Sequence, residues 1–376
     1  MKRAISATII FFIIIMLLPL SVSAAEGVEL PSEYDGIADS LPDVVKSLLP
    51  QEMLDSKTAG EGLENVLNLE SAVNILGRLI GDGLPAALRL LCTLMGILVL
   101  SALIRSLAAS AKSSALSGGF EVCASLSVFA TVISAEAMHL AQSAELLRDL
   151  NSLMSSLVPI TATVWAMGGN TGTASLSGAT LYGFLAISER LCLDTVTPVC
   201  LVLTATSLCG AISPDVKLYG ISGAVKKTYN FIIGLVMSLL VAILGMQTTL
   251  ASAADGIAAK TAKMVTSTVI PTVGGSIGDT LRSVAASVSY IKSVFGISSV
   301  IFILLLAAPT LITVLLARAV FIISGGIADM LGCERESRLL SQMSDVYGCI
   351  MGAVAMSTVM FILGLGIFTK STVAIA

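Results

Sequence analysis

Between Gln247 and Asp279 the sequence sets acids, bases and helix breakers into an otherwise apolar chain. Gln247 is followed by Asp255, Lys260 and Lys263, then by Pro271, Gly274 and Gly275, and finally by Asp279. A charge at the centre of a bilayer costs roughly 2.5–3.5 kcal/mol on insertion scales, so these side chains must lie at an interface or face a wet, protein-lined path. Pro271 and the glycines after it break a helix at that point. Two readings fit these residues: a broken or re-entrant element lining a conduit, and an interfacial amphipathic helix followed by a turn. The chemistry on offer is solvation of polar or charged groups.

Other reactive side chains are few. Glu136 and His139 stand one helical turn apart near the end of an apolar stretch, as a proton relay or as a paired helix terminus. Glu189, Arg190 and Asp194 read as loop charges or internal ion pairs. His139 is the sole histidine. No Ser/His/Asp or Cys/His set can therefore be assembled, and neither enzyme activity nor a catalytic residue is expected. The seven cysteines show no CxxC pair, and neither a metal site nor any other cofactor site is expected. Gly274–Gly278 lacks a preceding strand, GxGxxG spacing and a Gly-Lys-Ser/Thr ending, so energy from ATP would have to come from a partner. Gly348 and Gly352 have the spacing of a close helix contact.

The elements that must position these residues follow from composition. The chain has 376 residues, of which 55% are hydrophobic and only 12% charged, about half the share usual in soluble domains. Mean hydropathy is +0.95. A soluble enzyme or binding domain is excluded, and the low aromatic content (5%) argues against an outer-membrane barrel. The expected fold is all-α: a polytopic helical membrane protein.

Three regions are expected. Residues 1–25 carry Lys2 and Arg3, an apolar core from Ile9 to Leu18, Pro19 and small residues up to Ala25, the parts of a cleavable signal peptide. Residues 26–83 form an acidic exported segment, with 12 acids against three bases between Glu26 and Asp82. Helical spacing from Leu63 to Ile80 predicts one amphipathic helix leading to the membrane, and a solvated spacer with a surface helix is the plainer alternative. Its acidity would repel nucleic acid.

Residues 84–376 form the multi-spanning domain. Apolar stretches lie near 84–104, 121–141, 150–168, 174–188, 191–212, 229–250, 294–317 and 346–368. The third and fourth, with Pro159 and many small polar residues, are one kinked span, two spans or a re-entrant hairpin, so six to eight spans are expected. With the N-terminal segment outside and all eight spanning, Arg105 and Lys112, then Lys217, Lys226 and Lys227, then Arg318, Arg335 and Arg338 fall in loops on one side. Arg148, Ser155 and Pro159 recur as Lys260, Ser267 and Pro271, an echo at an offset of 112 residues that suits a transporter repeat.

The run Asp255-Gly256-Ile257-Ala258-Ala259-Lys260-Thr261-Ala262-Lys263, followed by Ile270-Pro271-Thr272-Val273-Gly274 and Asp279, resembles the stage III sporulation protein AE family of endospore-forming bacteria. The resemblance extends to the whole layout of leader, acidic exported segment and many-spanning region. It implies a component of the mother-cell membrane around the forespore, with its N-terminal segment in the intermembrane space. It also implies assembly with other stage III A-operon proteins, including an ATPase and ring-forming proteins, and indirectly with forespore protein Q. Together these would form a channel that supports late forespore gene expression. It implies no substrate and no catalytic residue. Two alternatives remain: a self-sufficient secondary transporter and a non-conducting scaffold.

Overall fold

The computed structural model describes residues 30–66, 69–110, 114–167, 171–212, 220–239, 241–243, 245–246 and 274–370. All regular structure among them is helical. Three short helices, α1 (Asp35–Ser40), α2 (Asp43–Leu48) and α3 (Ala59–Val66), precede six long ones. These are α4 (Leu69–Ser110), α5 (Ser114–Met167), α6 (Thr171–Ile212), α7 (Gly220–Ile243), α8 (Gly274–Met330) and α9 (Glu334–Lys370). The signal-peptide region lies outside the described residues.

Five helices among the described residues are long and apolar enough to cross a membrane: Val73–Leu107, Val122–Met167, Gly220–Ile243, Ala286–Met330 and Glu334–Leu365. Adjacent apolar stretches share helices. Stretches 121–141 and 150–168 both lie in α5, which runs through Pro159. One turn on, Thr163 Oγ1 donates to the Pro159 carbonyl at 3.0 Å. Stretches 174–188 and 191–212 both lie in α6, where the apolar part is the shorter Asp194–Gly210.

The N-terminal segment is a packed cap. Tyr34, Ile37, Leu41, Val45, Met53 and Leu63 are buried against Leu147–Leu157 of α5 and Ile291–Phe302 of α8. Tyr34 donates to the Met53 carbonyl at 2.8 Å and lies near Phe295 and Phe302, with ring centroids 6.3 and 6.2 Å apart. Burial pushes its phenol pKa well above the usual value. Asp35 accepts from the Ser56 backbone N–H at 2.7 Å and from its hydroxyl at 3.2 Å, closing the loop between α1 and α3. Gly62 is required there: a Cβ would stand 2.5 Å from the Met53 backbone nitrogen. The described parts of the helix expected over 63–80 are helical, in α3 and at the start of α4.

Taking the cap as the upper end, the long helices alternate in direction. Arg105, near the end of α4, meets the α8–α9 turn, and Ser125, near the start of α5, meets Glu336. α7 and α9 both climb, since Val236, Met237, Phe361 and Leu365 join the upper core. The end of α9 thus returns towards the level of the cap. A second core fills the lower half with Leu94, Leu98, Val128, Val132, Phe321 and Tyr347, none more than 1% exposed.

Polarity inverts along α5. Below residue 141 its buried face holds Ser125, Glu136 and His139, while Leu126, Ile133 and Met138 are exposed. Above it Leu150, Leu153, Leu157 and Ile160 are buried, while Gln142, Glu145, Arg148, Ser152 and Ser155 are exposed. α7 departs from this division, exposing Leu239 and Val241 beside the upper core.

Candidate functional site

The lower half of the bundle encloses two polar layers. The first lies at the base, where α8 turns into α9. Gly332 adopts φ 72°, and Cys333 N–H bonds back to the Ala328 carbonyl at 2.8 Å, a closure that needs a residue without a Cβ. The turn aims Glu336 inward, where it is fully buried. Its carboxylate lies 3.5 Å from Arg105 and accepts from Ser101 at 3.3 Å and Ser125 at 3.5 Å. Arg105 also donates to the Gly332 carbonyl. Three elements are tied by one carboxylate, which has two hydroxyls and a guanidinium to offset its desolvation.

The second layer lies about 16 Å higher, counting eleven residues of α5 from Ser125 to Glu136. Glu136 is 2% exposed, and Thr204 Oγ1 sits 2.8 Å from both of its carboxylate oxygens. His139 is 7% exposed, with Nδ1 3.2 Å from Gln142 Oε1 and its ring edge-on to Tyr347 at 5.5 Å. Tyr347 in turn packs against Phe321 at 4.8 Å. Glu136 and His139 each have a separate partner and do not bond to one another, so the layer supplies no direct proton relay between them.

The third side of this layer is charged. Arg318 is 8% exposed, and its Nε has no hydrogen-bond partner among the described residues. The guanidinium lies over Gly348, where a Cβ would approach it to 3.4 Å. The Gly348–Gly352 spacing therefore admits an arginine head at Gly348, while a Cβ on Gly352 would meet nothing within 4 Å. Lys226 of α7 pairs with Asp345 of α9. Gly348, beneath that guanidinium, stands three residues beyond Asp345 on α9, about 4.5 Å of helix rise.

Of the residues singled out from sequence, Gln247, Asp255, Lys260, Lys263 and Pro271 lie outside the described residues, as does the second half of the 112-residue echo. Asp279 lies near the start of α8. Arg190 and Asp194 form an exposed ion pair at 3.8 Å within α6. Arg318, Lys226 and Lys227, expected in loops, are helical, and Arg318 is buried. Sequence reasoning missed Glu336 and the buried Lys292 (4% exposed). Glu336 meets Ser101 across 235 positions, which no local spacing reveals. Lys292 carried a readable signal, a lone base just before the longest apolar run.

The family model described as stage III sporulation protein AE matches residues 51–372. A relative from Bacillus subtilis (strain 168), named stage III sporulation protein AE, is 22% identical over 236 residues. The match covers 62% of this chain and 59% of the relative's length. No solved structure matches.

Proposed function

The chain belongs to the stage III sporulation protein AE family, and from that we propose that it is the polytopic membrane component of a multiprotein channel joining mother cell and forespore during endospore formation. It acts with other stage III A-operon proteins, among them an ATPase and ring-forming proteins, and reaches forespore protein Q through them. It sits in the mother-cell membrane around the forespore, with the cap facing the intermembrane space, and supports late forespore gene expression. The observation that carries the reading is the charged layer of Arg318, Lys226 and Asp345 within the lower bundle, which a passive hydrophobic anchor has no use for. The packed cap supports it further by offering a rigid surface to ring components.

Affinity purification of the tagged protein from mild-detergent membranes of sporulating cells tests this, with vegetative cells as control. Co-purification of a cytoplasmic ATPase and exported ring proteins is expected. A partner-free protein that drives ion-coupled uptake in vesicles would replace the channel component with a lone transporter.

A further inference from the structure

Three helices mark the same slab. On α4 the exposed charged residues end at Arg89, sixteen residues above Arg105, a rise of about 24 Å. Above Ser125 on α5, exposed polar side chains larger than serine begin at Gln142, a rise of about 26 Å. On α6 the apolar part runs from Asp194 to Gly210, about 24 Å. Each is close to the ~30 Å hydrocarbon core of a bilayer. Within this slab the outward residues of α4, α5 and α6 include Val99, Leu100, Leu103, Leu126, Ile133, Met138, Leu201 and Val202. That face suits lipid.

The opposite face does not. Glu334, Arg338, Ser341 and Asp345 are exposed at intervals of four, three and four residues, one stripe along α9. Asp345 lies about 14 Å above Glu336, near half-depth of the slab. Its partner Lys226 is followed one turn on by Asn230, exposed on the same side of α7, while Phe231, Ile232 and Leu235 are exposed on the other side and suit lipid. The side chains of Asp345 and Lys226 are 55% and 35% exposed, so they are not sealed inside this chain. Charges at that depth are too costly to face lipid and belong against protein or in a wet cavity. The bundle's own axis is filled by Leu94, Leu98, Val132 and Phe321, each fully buried.

We propose that the α7–α9 face borders a water-filled path for hydrophilic solutes, running outside the single chain's core and closed by neighbouring subunits. The wetted side chains are Lys226, Asn230, Arg338, Ser341 and Asp345. Arg318 stands just behind them and adds positive potential. The proposal deepens the channel reading by placing its path on one face of this protein.

Thiol accessibility tests it. Ser341→Cys is placed on the α9 stripe, Asn230→Cys one turn from Lys226 on α7, and Ile133→Cys on the lipid face, all within the slab, in membranes from sporulating cells opened by freeze–thaw. A charged, membrane-impermeant methanethiosulfonate is the probe, with modification resolved peptide by peptide by mass spectrometry. The thiolate is the reacting species and lipid suppresses ionisation. Both path positions should therefore react more than about tenfold faster than the thiol of Ile133→Cys. Equal, slow reaction at all positions overturns the path. If partners still co-purify in that case, the channel reading stands and only this route through it fails.

Discussion

The two halves of α5 are built on opposite rules, though one helix carries both. Above residue 141, Leu150, Leu153 and Leu157 are buried and Ser152 and Ser155 are exposed. Below it, Glu136 and His139 are buried and Ile133 and Met138 are exposed. The first pattern is that of a helix in water and the second that of a helix in lipid, where polar groups turn inward. The same division separates the cores. The upper one is sealed by the cap, with Tyr34 of the N-terminal segment on Phe302 of α8. The lower one is held by buried carboxylates, Glu336 and Glu136, each with named donors. The solvent around a helix, rather than its mean hydropathy, decides which side chains it buries.

The largest expected loss comes from emptying the upper core. Leu157→Ala should cost about 2–5 kcal/mol of stability, read as thermal unfolding in detergent, because the rigid surroundings leave a cavity. Next is the outward face of the lower half: Ile133→Lys should cost roughly 2.5–3.5 kcal/mol in membranes and lower the inserted protein level. Gly62→Ala drives a methyl into the Met53 backbone and should cost about 1–3 kcal/mol, with protease cutting first in the cap. Tyr34→Phe leaves the Met53 carbonyl unpaired and should cost about 0.5–1.5 kcal/mol.

The raised Tyr34 pKa gives the cap a pH limit. A phenol held neutral in the fold stabilises it fully below the ordinary tyrosine value of about 10, and that contribution falls as pH rises beyond it. Cap docking should weaken above that pH in the parent protein and less so in Tyr34→Phe. The smallest effect is the sharpest comparison: Ser152→Lys, on the same helix as Ile133→Lys, should stay within about 0.5 kcal/mol. Equal penalties for the two lysines would break the division.

Much of the architecture was legible. The all-helical class follows from apolar runs too long for strands, and Arg105, Lys226, Lys227, Arg318, Arg335 and Arg338 gather in the lower half. Hydropathy could not separate protein-covered from lipid-covered segments, since a helix apolar on all sides is buried by either. Residues 301–308 of α8 read as a membrane span and are fully covered by the protein. The cap escaped notice because its core residues, from Tyr34 to Leu63, are spaced by prolines and acids and find their partners more than a hundred residues away. The polar layers were half visible: Glu136 and His139 by helical spacing, Arg318 and Glu336 only once distant helices met.

The most direct measurement is a cysteine scan of the outward face of α5 in native membranes, at 126, 133, 137, 145, 152, 155 and 163, with an impermeant thiol reagent. The division predicts protection at the first three positions and ready modification at the last four, with the change falling near residue 141. Protection that continues unbroken to 163 would show that α5 lies in lipid along its length, and would contradict the account.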